Sequence, residues 1–173
     1  MKKLNLKNHI RNIPDFPKPG ILFRDITTLL KDKKAFKQAV DALAAKFKNK
    51  KIDAVVAVEA RGFILGGAIA HKLGAGFVPV RKKGKLPAAT NSVTYDLEYG
   101  TDTLAMHHDA RSPQDKVLIV DDLLATGGTV KAVTDLVKQI QGKIAGIAFL
   151  IELKDLKGKN KLKDYAVFSL IKY

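Results

Sequence analysis

The chain has 173 residues, 46% of them apolar, which is long enough for a continuous core and too apolar for a disordered chain. Its 31 basic against 17 acidic residues give a formal charge of +14, which favours anionic ligands and raises nonspecific affinity for nucleic acid. Cysteine is absent, which excludes a disulfide framework and thiolate chemistry, and no apolar run approaches the length of a membrane span.

The charged start Met1-Lys2-Lys3 leads into no signal-peptide h-region, so one cytoplasmic domain is expected over residues 1–173, with no membrane partner. Much of the positive charge falls on solvated lysines such as Lys46, Lys48, Lys50 and Lys51 at one helix end. No aromatic platform is interleaved with them, so no specific nucleic-acid partner is expected.

Residues 1–13 are basic and poorly patterned, consistent with a peripheral N-terminal helix. Pro14, Pro17, Pro19 and Gly20 force an extended passage into Ile21, Leu22, Phe23, Arg24 and Asp25. Over 32–48, Phe36, Val40, Leu43, Ala44 and Phe47 share one stripe and predict a helix. Asp53 to Val58 reads as a buried strand, followed by Glu59-Ala60-Arg61-Gly62 and a glycine-rich helix to about Leu73. Gly76 to Val80 is a third short strand, running into the cluster Arg81-Lys82-Lys83-Gly84-Lys85 in an otherwise unstructured passage. Leu86 to Ser92 lacks periodicity, and a loop of that length is usually a lid or disordered. Val93, Tyr95, Leu97 and Tyr99 alternate with polar residues, and Thr103 to Met106 pairs back across a turn at 100–102. The pattern fits a mobile ribbon carrying Glu98 on its polar face, and equally a plain solvated hairpin.

Val117-Leu118-Ile119-Val120 is a short strand buried on both faces, expected to end at Asp121 and Asp122. Ala125-Thr126-Gly127-Gly128-Thr129 then enters a helix marked by Val130, Val133, Val137 and Ile140. Glycines let backbone N–H groups approach a ligand, and a helix N-terminus presents unpaired donors suited to phosphate. Adjacent carboxylates can accept from a vicinal diol or hold water around a hard divalent cation. Together these describe a pocket for a sugar phosphate; the plain alternative is an ordinary turn beside a solvated acidic pair. A P-loop needs a lysine after its last glycine and none follows Gly128. Gly74-Ala75-Gly76 starts a dinucleotide fingerprint, but Pro79 stands where the third glycine belongs. Arg61 offers a planar fork of donors for a pyrophosphate, against the plain reading of a surface Glu–Arg pair. The histidines show no zinc-type spacing: His107 and His108 are strand neighbours, and His9 and His71 stand apart. Strands at 144–151 and 166–171 close the chain around a lysine-rich connector.

The stretch 117–129 resembles the ribose-phosphate signature of the type I phosphoribosyltransferases. So do Phe16 to Thr27, Glu59-Ala60-Arg61-Gly62-Phe63 and Leu97-Glu98-Tyr99-Gly100, in the same order along nearly the whole chain. The resemblance implies an α/β fold: a mostly parallel sheet of about five strands flanked by helices, with an N-terminal hood (1–30) and a lid loop and β-ribbon (81–106). It implies transfer of a phosphoribosyl group from phosphoribosyl pyrophosphate to adenine, with Mg²⁺ held mainly by substrate and water near Asp121 and Asp122. Residues 125–129 and the two aspartates would hold the ribose 5-phosphate. Glu59, Ala60, Arg61, Gly62, Arg81, Lys82 and Lys85 would hold pyrophosphate, one or more of the lid cations reaching a partner subunit's site in a homodimer. Phe23 and Arg24 would meet the base, Glu98 would move its proton alongside Arg61 in catalysis, and Tyr99 would belong to the lid. Two other readings stay open: a nucleotide-binding regulator of this fold, and an enzyme of this fold using guanine, xanthine or orotate.

Overall fold

An apolar run buried on both faces needs helices on each side of it, and the β-branched runs of this chain become the inner strands of such a sheet. The structure, a computed structural model, describes residues 3–96, 100–110 and 114–173. A single 3-10 turn, Leu6–His9, leads to β1 (Arg11–Ile13), which pairs antiparallel with β2 (Phe23–Asp25). Helices α1 (Thr27–Lys31) and α2 (Lys33–Phe47) follow, and Asp32 caps α2 by accepting from the Lys34 and Ala35 N–H groups at 2.8 and 2.9 Å. Then come β3 (Ala54–Val58), α3 (Arg61–Leu73), β4 (Gly76–Lys82), β5 (Thr90–Asp96) and β6 (Thr101–His107). β7 (Lys116–Leu124), α4 (Gly128–Gln139), β8 (Lys143–Glu152) and β9 (Val167–Lys172) complete the order, with two 3-10 turns, Lys154–Leu156 and Gly158–Leu162, before β9.

The main sheet has seven strands in the order β5-β6-β4-β3-β7-β8-β9. Five of them, β4 to β9 across β3, β7 and β8, run parallel, which is the expected α/β architecture. Alternation along β7 divides the core: Leu118 and Val120 face α2 and α3, while Val117 and Ile119 face α4. Gly66 lets α3 lie close on the sheet, since a Cβ there would come within 2.6 Å of the Ala57 Cβ. Among the described residues no helix is long and apolar enough to cross a membrane.

Three expectations need correction. The N-terminal helix is one 3-10 turn, because the Asn5 side chain accepts from the Lys7 N–H and the chain then straightens to pair Arg11–Ile13 with β2. β7 does not stop at Val120: β8 keeps pairing through Asp121↔Phe149, Leu123↔Ile151 and Leu124↔Glu152, while β3 pairs only as far as Ala57↔Val120. The acidic pair therefore lies inside a strand that has lost one neighbour. Arg81 and Lys82 are not in an unstructured passage either; they end β4 and pair with Ala105 and Leu104 of β6, so the β5–β6 ribbon continues the sheet.

Candidate active site

Two strand-loop-helix units end side by side, since β3 and β7 are adjacent and parallel. After β7 the chain turns at Gly127, whose φ of 82° suits a residue without Cβ; a Cβ would also approach the Gly158 carbonyl oxygen to 2.5 Å. No side chain caps α4, and the bond from the Lys131 N–H to the Gly127 carbonyl is the first of the helix. The preceding N–H groups are left for an anion, at the positive end of the helix dipole. Residues 123–130 with Asp121 line a cavity of about 70 Å³ at this end.

After β3, Gly62 sets the first turn of α3 against the acidic pair, because a Cβ there would lie 2.9 Å from Asp121 Oδ1. Asp121 Oδ1 accepts from the Asp122 N–H at 2.9 Å. Burial pushes the Asp121 carboxyl well up, and the Asp122 charge adds to it. Burial also raises Asp122, held back by Arg61, whose Nε lies 2.9 Å from Asp122 Oδ2. Beyond that ion pair this buried oxygen has no hydrogen-bond partner within the protein. The Arg61 guanidinium also sits 5.1 Å from the Phe23 ring, which brings β2, α3 and β7 together at one residue.

Glu59 organises the cations rather than joining them at an anion. It accepts from Arg81 Nε and from the Lys82 N–H, each at 2.9 Å, and lies 3.7 Å from Lys85 Nζ. Burial opposes its ionisation, yet the Lys82 N–H, Arg81 and Lys85 outweigh it and hold its carboxyl below the usual range. Lys82 Nζ pairs with Asp102 at 3.0 Å, and that pair lowers the Asp102 carboxyl.

The structure thus gathers Glu59, Ala60, Arg61, Gly62, Arg81, Lys82, Lys85, Asp121, Asp122, the 125–129 loop and Phe23. Arg24 is engaged elsewhere: its guanidinium stacks 3.8 Å from the Tyr173 ring and donates to Asn12, as expected for a strand neighbour of Phe23 that faces the other way. Glu98 and Tyr99 lie outside the described residues. Three participants had no local signal. Asp102 of β6 pairs with Lys82 of β4, Tyr173 holds Arg24, and Gly158 backs the loop, with a would-be Cβ 2.2 Å from the Ala125 carbonyl oxygen. Among the described residues no three ligating side chains meet, and the two adjacent aspartates alone do not make a closed cation site.

A helix N-terminus without a side-chain cap, two adjacent aspartates and a cluster of cations thus meet at the carboxyl ends of the inner strands β4, β3 and β7, an arrangement suited to a phosphorylated ligand. Residues 27–173 match the Phosphoribosyl transferase domain family, and the chain belongs to it. A relative from Acidobacterium capsulatum, an adenine phosphoribosyltransferase, is 59% identical over 168 residues, covering 97% of this chain and 93% of that protein. The crystal structure of adenine phosphoribosyltransferase from Thermoanaerobacter pseudethanolicus superposes with a TM-score of 0.95 at 54% identity, covering 97% of this chain and 98% of that one. The Saccharomyces cerevisiae enzyme, complexed with D-2,5-dideoxy-2,5-imino-altritol 1,6-bisphosphate and adenine, gives 0.92 at 40% identity, with 95% and 96% covered.

Proposed function

We infer that this chain transfers the 5-phosphoribosyl group from phosphoribosyl pyrophosphate to adenine, giving AMP and pyrophosphate in purine salvage. The observation that carries this is the 59% identity, over nearly the full length of both chains, to an adenine phosphoribosyltransferase. The N–H groups and hydroxyls of 125–129 receive the 5′-phosphate, and Asp121 and Asp122 accept from the ribose 2′- and 3′-hydroxyls. The unpartnered Oδ2 of Asp122 supports that role. Arg61, Arg81, Lys82 and Lys85 take the pyrophosphate with the backbone of Ala60 and Gly62, Glu59 holding two of the cations in position. Phe23, facing Arg61, offers the base an aromatic surface.

In the reaction N9 of adenine bonds to C1′ as the C1′–O bond to pyrophosphate breaks, and the oxygen leaves with the electron pair. The ribose gains positive charge and the leaving group negative charge, so contacts from the cations strengthen in the transition state. Asp121 and Asp122 would hold a Mg²⁺ ion through water, and the ion would neutralise part of the pyrophosphate charge. Glu98 accepts the proton lost from N9, directly or through another purine position, and Tyr99 acts in the lid. The protein is cytoplasmic and a homodimer in this reading; the exposed apolar Ile64 and Phe77 support an interface.

Incubation with Mg²⁺, phosphoribosyl pyrophosphate and adenine, guanine, xanthine or orotate, with the nucleotides resolved, tests it. AMP from adenine alone is expected. Another nucleotide in its place, or none, overturns the reading.

A further inference from the structure

The proposed 5′-phosphate cradle contains no cation of its own. Its donors are N–H groups and threonine hydroxyls, whereas the phosphate it would receive carries close to two negative charges. Lys131, one turn into α4, cannot supply the missing charge without losing Asp135, both of whose carboxylate oxygens it holds at 2.6 Å. The residue that stands at the cradle is Lys161, far along the chain in the 3-10 turn Gly158–Leu162. Its Nζ lies 3.9 Å from the point where a Gly128 Cβ would be, beside the first residue of α4. Lys161 is exposed, and among the described residues no carboxylate pairs with it.

The turn that carries Lys161 is fixed rather than loose. Gly158 packs against Ala125 and Gly127 on the far side of the loop. Lys159 Nζ pairs with the buried Glu152 at 3.0 Å, and Leu162 is buried in the core beside α4. Gly158 therefore packs on the loop while Lys161 Nζ comes near Gly128, and one short turn makes both contacts.

We propose that Lys161 is a binding residue for the 5′-phosphate, supplying the positive charge that residues 125–129 lack. This rests on the reading of 125–129 as the phosphate cradle, and its test separates the two. Binding of AMP and of adenosine is compared by calorimetry in the wild-type protein, Lys161→Met and Lys161→Arg, across a salt series. Loss of one charge-assisted contact should weaken AMP binding about tenfold in Lys161→Met while adenosine binding stays the same. Lys161→Arg should restore most of the AMP affinity, and the salt dependence for AMP should be shallower in Lys161→Met. AMP affinity in Lys161→Met within twofold of wild type overturns the role, as does an equal loss for AMP and adenosine, which marks a structural effect. A wild-type protein that binds adenosine as tightly as AMP refutes the cradle itself.

Discussion

Gly158→Ala tests whether the distant turn positions the phosphate loop. The backbone conformation at Gly158 is open to alanine, so the cost is steric: the new Cβ would lie 2.2 Å from the Ala125 carbonyl oxygen and 2.9 Å from Leu124 Cδ1. Ordinary contact begins near 3.4 Å, so the 125–129 backbone must retreat by about 1 Å. Overpacking of that kind costs about 1–3 kcal/mol, or about 2–4 °C of Tm per kcal/mol in a chain of this size. The functional loss should exceed the stability loss, since a 1 Å misplacement of a binding group costs up to roughly 100-fold in rate. Steady-state kinetics with each substrate varied should show kcat/KM for phosphoribosyl pyrophosphate falling roughly 10- to 100-fold, with the KM for adenine little changed. Gly67→Ala in α3 is the control, because nothing lies within 4 Å of its would-be Cβ and alanine in a helix interior should gain about 0.5–1 kcal/mol. Unchanged kcat/KM for phosphoribosyl pyrophosphate in Gly158→Ala would falsify the positioning argument, and so would equal losses for both substrates.

Two further expectations follow from charge. Glu98→Gln should cut kcat by roughly 100-fold or more while leaving the KM for phosphoribosyl pyrophosphate within about threefold, because it removes a proton acceptor and not an anion contact; equal turnover refutes the role. Asp25 accepts from the Thr27 N–H and from Arg11 Nε, each at 2.9 Å, and its carboxyl is lowered to about 2, chiefly by the Thr27 N–H and by Arg11 against its burial. A depressed carboxyl stabilises the fold above its unfolded value near 3.9, and that stability is lost as pH falls towards 2. Urea midpoints of wild type and Asp25→Asn should therefore differ at pH 6, and the gap should narrow as pH falls from about 4 and close only below about pH 2. A gap that persists at low pH would show that the carboxylate is not its source.

The sequence carried most of the parallel sheet because each inner strand is a run of β-branched residues with no competing period. Val117 to Val120 could be nothing else once α4's stripe began ten residues on. What it hid was pairing. Whether β7 ends at Val120 or passes through two aspartates depends on how far β8 runs beside it, and no residue within β7 records that. The ribbon's attachment to β4 through Arg81↔Ala105 is equally invisible, since a basic cluster reads as loop until a partner strand satisfies its backbone. Gly158 looked like one glycine in a lysine-rich connector, and only its contact with Ala125 gives it meaning. Phe23 and Arg24 were legible as a pair but not as a division of labour, which the pleat decides by turning one to Arg61 and the other to Tyr173.

The net charge of +14 is a property of the surface more than of the site. Around the site four cations are paired with three carboxylates, Asp121 standing beside them as a fourth carboxyl group: Arg61 pairs with Asp122, Arg81 and Lys85 with Glu59, and Lys82 with Asp102. These four cations are therefore largely neutralised before an anion arrives, while much of the excess charge sits on solvated lysines elsewhere. An anion gains there only if it offers each cation more than the carboxylate it already holds, which a pyrophosphate with many closely spaced oxygens does and a lone halide does not. Arg61 is the sharpest case, because on the proposed reading drawing it to pyrophosphate would free Asp122 Oδ2 for a ribose hydroxyl. In the proposed reading, that exchange of partners would make the two halves of a phosphoribosyl pyrophosphate mutually reinforcing ligands.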